Sequence, residues 1–163
     1  MKKLEGTILT EDKGNRYKLI ISQADFETAI MELYDQFAEQ YSYCSLWRTL
    51  SEEEKKHSSW LKGLAAKLKA GEVGYENCSF LIEKVQKAVK TIRDFVEKIK
   101  MDPISITEAF LYAEKIENSL YEKEYLTYFE TDSETLKSTI EILIQDSEKH
   151  RDMIILEASK YKI

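Results

Sequence analysis

Between Leu50 and Leu61 the chain reads LSEEEKKHSSWL, and within it Glu54 and His57 stand three residues apart. On a helix that spacing puts both side chains on one side, one turn apart, where a carboxylate oxygen and an imidazole nitrogen can grip the same ion. The second of the chain's two histidines, His150, lies in LIQDSEKHRDMI. Glu114 and Glu117 make another i, i+3 pair in FLYAEKIENSL, and Glu27 sits in FETAIMELY. Carboxylates joined by one imidazole per ion suit iron, with manganese as the alternative, whereas a structural zinc site more often recruits thiolates or more histidine.

These residues gain meaning from the helices that must carry them. Phe26, Ile30, Leu33, Phe37 and Tyr41 recur at helical spacing, which predicts a first helix from Ser22 to about Tyr43, capped by Ser22 or Asp25, with Glu27 on or beside its apolar stripe. A second is expected from about Ser45 to Ala70, stopped by Gly71. Its stripe of Trp47, Leu50, Leu61, Leu64 and Leu68 is interrupted only by Glu54 and His57. The third, about Asn77 to Lys100, carries Leu81, Val85, Val89, Ile92, Val96 and Ile99, has no chemistry on it, and halts at MDP. A fourth is expected from Ser105 to about Glu130, where Phe110, Ala113, Leu120 and Tyr121 share their face with Glu114 and Glu117. The fifth follows Thr131-Asp132, with Asp132 or Ser133 as cap and Ser147 and His150 between Leu143 and Ile154 on its stripe. Residues 1–21, of mixed polarity and broken by Gly6 and Gly14, read as a loosely ordered leader ahead of a domain spanning 22–163.

Four of the five helices thus aim a polar group inward near their middles. One such group is commonplace, since a lone core histidine is usually hydrogen-bonded and a glutamate beside a stripe usually reaches water. Several together are not, because each uncompensated buried carboxylate costs several kcal/mol or is forced to take up a proton. Helical bundles have a solution: a Glu from each of two helices and a Glu-x-x-His from each of the other two converge on two metal ions.

Composition agrees with an all-α chain: 163 residues, one proline, five glycines and 43% apolar content suit one domain of long helices. A net charge of -6 argues against general affinity for nucleic acid or anionic membrane. No apolar run approaches a membrane span and MKKLEGTILTEDK has no signal-peptide core, so a cytoplasmic protein is expected. Cys44 and Cys78 lie far apart and outside any CxxC, which reads as two ordinary thiols rather than a disulfide framework or thiolate cage.

With FETAIMELYDQFAEQY, SLWRTLSEEEKKHSSWL, AEKIENSLYEKEY and LIQDSEKHRDMI in view, the chain resembles a ferritin-like, rubrerythrin-type domain over about residues 22–158. Glu27 precedes Tyr34 by seven and Glu114 precedes Tyr121 by seven, so the second half echoes the first. The resemblance implies a four-helix bundle with a helical crossover between its two helix pairs. The plain third helix would be that crossover, about 22 residues spanning about 33 Å. It further implies a di-iron carboxylate centre held by Glu27, Glu54, His57, Glu114, Glu117 and His150, a homodimer, and peroxide or oxygen reduction in oxidative stress or iron handling.

Two departures qualify the implied function. Ser147 stands where the final Glu-x-x-His would have its glutamate, so the second ion is the weaker expectation, with Asp146 as an alternative ligand. These 163 residues hold no CxxC pair of the rubredoxin-like kind, so peroxide reduction is expected to need a separate electron-donor protein. The expected centre is asymmetric: a full first position of Glu27, Glu54, His57 and bridging Glu117, and a second of His150, Glu114 and water or Asp146. Three classes of function remain open: a di-iron oxidase or peroxidase, a metal-binding protein without turnover, and a metal-free bundle acting through its surface or as a dimer.

Overall fold

The structure, a computed structural model, describes residues 4–68, 79–119 and 134–161. Among these, all regular structure is helical: α1 (Leu4–Gln40), α2 (Leu46–Leu68), α3 (Ser79–Met101), α4 (Ile106–Glu117), α5 (Glu134–Ala158) and a closing 3-10 turn, Ser159–Tyr161. The chain is an all-α bundle.

Cross-contacts fix the directions. Ser51 donates to Asp35 at 2.5 Å and Ser58 to the Ala24 carbonyl at 2.9 Å, so α2 runs antiparallel to α1. Arg93 meets Glu32 at 2.9 Å and Gln40 donates to the Ile99 carbonyl at 2.7 Å, so α3 runs parallel to α1. Tyr41 donates to the Ile104 carbonyl and Tyr34 to Glu117, which turns α4 back against α1. The Phe110–Tyr161 and Glu117–His150 contacts then set α5 antiparallel to α4. Helix α2 therefore finishes at the end of the bundle opposite the start of α4, and α3 carries the chain the length of the molecule, as expected of a crossover.

The apolar stripe of α3 supplies its adhesion. Ile82, Val85, Val89, Ile92, Val96 and Ile99 are buried in the larger core cluster, each worth about 1.5–3 kcal/mol when fully buried. Phe95 adds a stack on Tyr112 with ring centroids 3.8 Å apart. Pro103 disfavours helical backbone at the residue before it, and α3 ends at Met101. Helix α4 then opens with a capping box: Ser105 accepts the Glu108 N–H while the Glu108 carboxylate takes the Ser105 N–H.

Two helix bounds differ from expectation. Helix α1 begins at Leu4 rather than Ser22. Gly6 and Gly14 each cost about 1 kcal/mol in a helix, yet Leu19 is buried in the larger core cluster and Ile20 in the smaller one with Leu61 of α2 and Ile140 of α5, and tertiary burial outweighs the local penalty. Helix α4 ends at Glu117 with Asn118 as C-cap, short of Glu130. The remainder of the expected fourth helix, with Leu120 and Tyr121, lies outside the described residues, as do Gly71, Cys78, Asp132 and Ser133. No described helix is long and apolar enough to cross a membrane.

The core is split. The larger cluster gathers around Phe37, Trp47 and Phe110, and the smaller joins Ile20, Ala24, Leu61, Leu64, Ala65, Ile140 and Leu143. Along α2 the buried stripe runs Trp47, Leu50, Glu54, His57, Leu61, and along α5 it runs Ile154, His150, Ser147, Leu143. A polar layer thus separates two apolar ones.

Candidate metal centre

Glu54 occupies the middle of that layer, with 1% of its surface exposed. Its two oxygens face two different imidazoles. Oε2 lies 3.1 Å from Nδ1 of His57, one turn along the same helix, and Oε1 lies 2.8 Å from Nδ1 of His150 on α5. The rings stack 5.5 Å apart at 20°. Glu27 of α1 approaches His57 Nδ1 at 3.9 Å, and Glu117 of α4 approaches His150 Nδ1 at 3.7 Å. Two groups result, Glu27–Glu54–His57 and Glu54–Glu117–His150, each with its ligand atoms within 4.8 Å of one another and every member buried. Each offers two carboxylates and one imidazole, and Glu54 belongs to both. These groups could hold metal ions.

The outward nitrogens of the two imidazoles are served reciprocally. His57 Nε2 lies 3.4 Å from Asp146 of α5, and His150 Nε2 lies 2.7 Å from Glu53 of α2. Asp146 precedes His150 by four residues and Glu53 precedes His57 by four, so each helix supplies the acid for the other's histidine. An outer carboxylate fixes an imidazole's tautomer and leaves Nδ1 free to bind. Farther out, Tyr34 donates to Glu117 Oε1 at 2.5 Å and Gln23 to Glu27 Oε1 at 2.9 Å.

The electrostatics show how strongly this layer attracts positive charge. Burial alone would raise the Glu54 pKa, but hydrogen bonds from His150 and His57 outweigh it and hold the carboxyl well below its usual range. Burial would likewise lower that of His150, yet Glu117 and Glu54 push it up to about 12. For Glu117 burial wins, and its carboxyl is raised in spite of His150 and Tyr34. Burial also opposes ionisation at Asp146, where Lys149 and His57 prevail and lower it. Glu54 Oε1 and His150 Nδ1 face each other at 2.8 Å, and Glu117 Oε2 is buried without a hydrogen-bond partner among the described residues. A buried carboxylate oxygen with no donor, beside a carboxylate–imidazole pair, fits a cation.

Of the residues singled out in the sequence, the structure brings together Glu27, Glu54, His57, Glu117 and His150. Glu54 and His57 are buried together with Trp47 and Leu61, as the register of the stripe required. Glu114 joins neither group. Three residues turn a helix by about 300°, which leaves Glu114 about 60° away from Glu117, half-buried at the edge of the inward face. Inward carboxylates therefore number three in these groups, not the four that Glu114 would have made.

Asp146 does not replace the missing glutamate, because its oxygen reaches the far nitrogen of His57 rather than Nδ1 of His150. Ser147 turns back to donate to the Leu143 carbonyl at 3.1 Å. Glu117 stands with His150 and not with His57, so the shared carboxylate is Glu54. The full first position and depleted second are replaced by two groups of equal composition.

Sequence reasoning missed Glu53 and Gln23. For Glu53 the signal was present: an acid four residues before each histidine, Glu53 and Asp146, repeats in α2 and α5. Gln23 had only its spacing, one turn before Glu27. No family model, curated protein or solved structure matches the chain.

Proposed function

We propose that the chain is a metal-binding bundle of the di-iron carboxylate kind, similar to rubrerythrins, with a role in peroxide or oxygen reduction or in iron handling. The observation that carries this reading is Glu54, one buried carboxylate with an imidazole Nδ1 at each oxygen and a further carboxylate beyond each imidazole. Glu27, Glu54 and His57 would hold one ion, and Glu54, Glu117 and His150 the other. Two dications bring four positive charges to three inward carboxylates, with Glu53 and Asp146 at the rim. Oxygen-rich sets with a single imidazole favour iron, then manganese. Bound iron would supply the electrons that reduce peroxide or oxygen; the chain supplies a buried, charged layer, and the Tyr34 hydroxyl offers a proton donor at its edge.

A second reading has its own support. Protonated His150, its pKa pushed up to about 12 by Glu117 and Glu54, offsets part of the layer's negative charge without metal, and burial of Glu117 favours its neutral form, which would make the centre a buried ion network in a metal-free bundle. Metal analysis separates the two. Protein purified without added metal and then titrated anaerobically with ferrous iron should bind up to two ions per chain, and Glu54→Ala should bind neither firmly. A chain that takes up no iron or manganese in any form establishes the ion network instead. Peroxide consumption by the reduced, loaded protein then distinguishes turnover from storage.

A further inference from the structure

Tyr34 begins a line of rings that leads from the candidate centre to one end of the molecule. Its hydroxyl donates to Glu117 Oε1 at 2.5 Å, and its ring centroid stands 5.8 Å from that of Trp47. Trp47 lies 4.7 Å from Phe110, which lies 5.4 Å from Tyr161. Tyr34, Trp47 and Phe110 are buried, whereas Tyr161, in the closing 3-10 turn, is half-buried. Tyrosine and tryptophan are the aromatic side chains that give up one electron most readily, and the single phenylalanine touches both of its neighbours.

We infer that Tyr34, Trp47 and Tyr161 form an electron relay from the surface to the carboxylate–histidine layer, working against strong oxidants of the peroxide class. The inference rests on the redox reading above. In the first step Tyr34 loses one electron to the oxidising equivalent held in the layer, and its phenolic proton passes to Glu117 Oε1. Trp47 then gives an electron to the Tyr34 phenoxyl, which recovers its proton from Glu117. The indole N–H of Trp47 has no hydrogen-bond partner among the described residues, so Trp47 is left as a radical cation. Tyr161 reduces that cation across Phe110 and releases its proton to water. A soluble one-electron reductant, such as ascorbate or a thiol, restores Tyr161.

Two competing routes are weaker or shorter. The branch from Trp47 through Phe37 leads to the exposed Tyr43 only by way of Tyr41, whose hydroxyl is bound to the Ile104 carbonyl, a group that cannot take its proton. Trp60, 42% exposed, stands 5.6 Å from His57 and offers an approach from the opposite side.

A metal-free measurement tests the relay separately from the metal. A ruthenium photo-oxidant is fixed to a histidine introduced by Lys160→His, beside Tyr161, and residue 34 is supplied as 3-fluorotyrosine, whose radical has its own hyperfine pattern. Flash oxidation should give the fluorotyrosyl radical in electron paramagnetic resonance. The signal should be lost in Trp47→Phe and kept in Trp60→Phe, with helicity checked by circular dichroism. A second arm adds peroxide to the ferrous-loaded protein and freezes it. It should show a tyrosyl radical and oxidised Tyr161, with Tyr161 oxidation lost in Trp47→Phe. Absence of the residue-34 radical, or equal yield in Trp47→Phe, overturns the relay. Failure to bind iron with the first arm intact overturns the metal reading and the relay's use against peroxide, and leaves the electron path through Trp47 standing.

Discussion

At the scale of the residue, Glu54 is the position on which both halves of the centre depend. Glu54→Ala should remove both ions, whereas Glu27→Ala and Glu117→Ala should each remove one, read as iron or manganese per chain. The outer acids act by orienting imidazoles, so Glu53→Gln and Asp146→Asn should each weaken metal binding by about 10–100-fold, and by similar factors. Unequal effects would sink the reciprocal arrangement. Protons supply a further test. His150, held near 12 against an ordinary 6.5, contributes stability that is complete below pH 6.5 and is lost as pH rises toward 12. Glu54, held below its ordinary 4.5, contributes above that value and loses its contribution as pH falls below it, with Glu117, raised, opposing. The melting temperature of the metal-free protein should therefore fall on both sides of neutrality. Metal affinity should move the other way on the alkaline side. Binding displaces the His150 proton, so affinity rises by about tenfold per pH unit for that proton.

At the scale of the element, α3 supplies adhesion and length but no ligand. Ile99, fully buried, should cost about 2–5 kcal/mol when replaced by alanine. Denaturant melts should show that loss while metal per chain stays unchanged. Loss of metal in Ile99→Ala at temperatures where the helices persist would mean that α3 positions the site more directly than its contacts indicate. The start of α4 is set locally: Ser105→Ala removes one side of the capping box and should destabilise by about 1 kcal/mol. The α2 stripe is the element best read in advance, because Glu54 and His57 fall on the same periodic positions as Trp47, Leu50 and Leu61. The start of α1 was not legible, because Gly6 and Gly14 are local signals and the burial of Leu19 and Ile20 depends on distant partners.

At the scale of the whole molecule, a charged layer lies between two apolar clusters, and a bound cation there would tie α1, α2, α4 and α5 together. A ligand that binds only the folded state at about 100 times its dissociation constant adds about 2.7 kcal/mol. For a chain of this size that is a rise of about 5–10 °C in melting temperature. Ferrous or manganous ion should raise the melting temperature by that order, a chelator should reverse it, and Glu54→Ala should abolish it. A rise of equal size in Glu54→Ala would place the ion elsewhere.

The all-α class, the helix stripes and the inward register of Glu27, Glu54, His57, Glu117 and His150 were determined by the sequence, because helical periodicity alone decides which face a residue occupies. Periodicity says nothing of which faces meet, or at what height. Only the tertiary structure set His57 against His150 with Glu54 between them, turned Glu114 aside, and sent Asp146 to the far nitrogen of the opposite helix's histidine. Those outcomes depend on how four helices slide and rotate against one another, through contacts as distant in sequence as Glu53 and His150. No one helix encodes them.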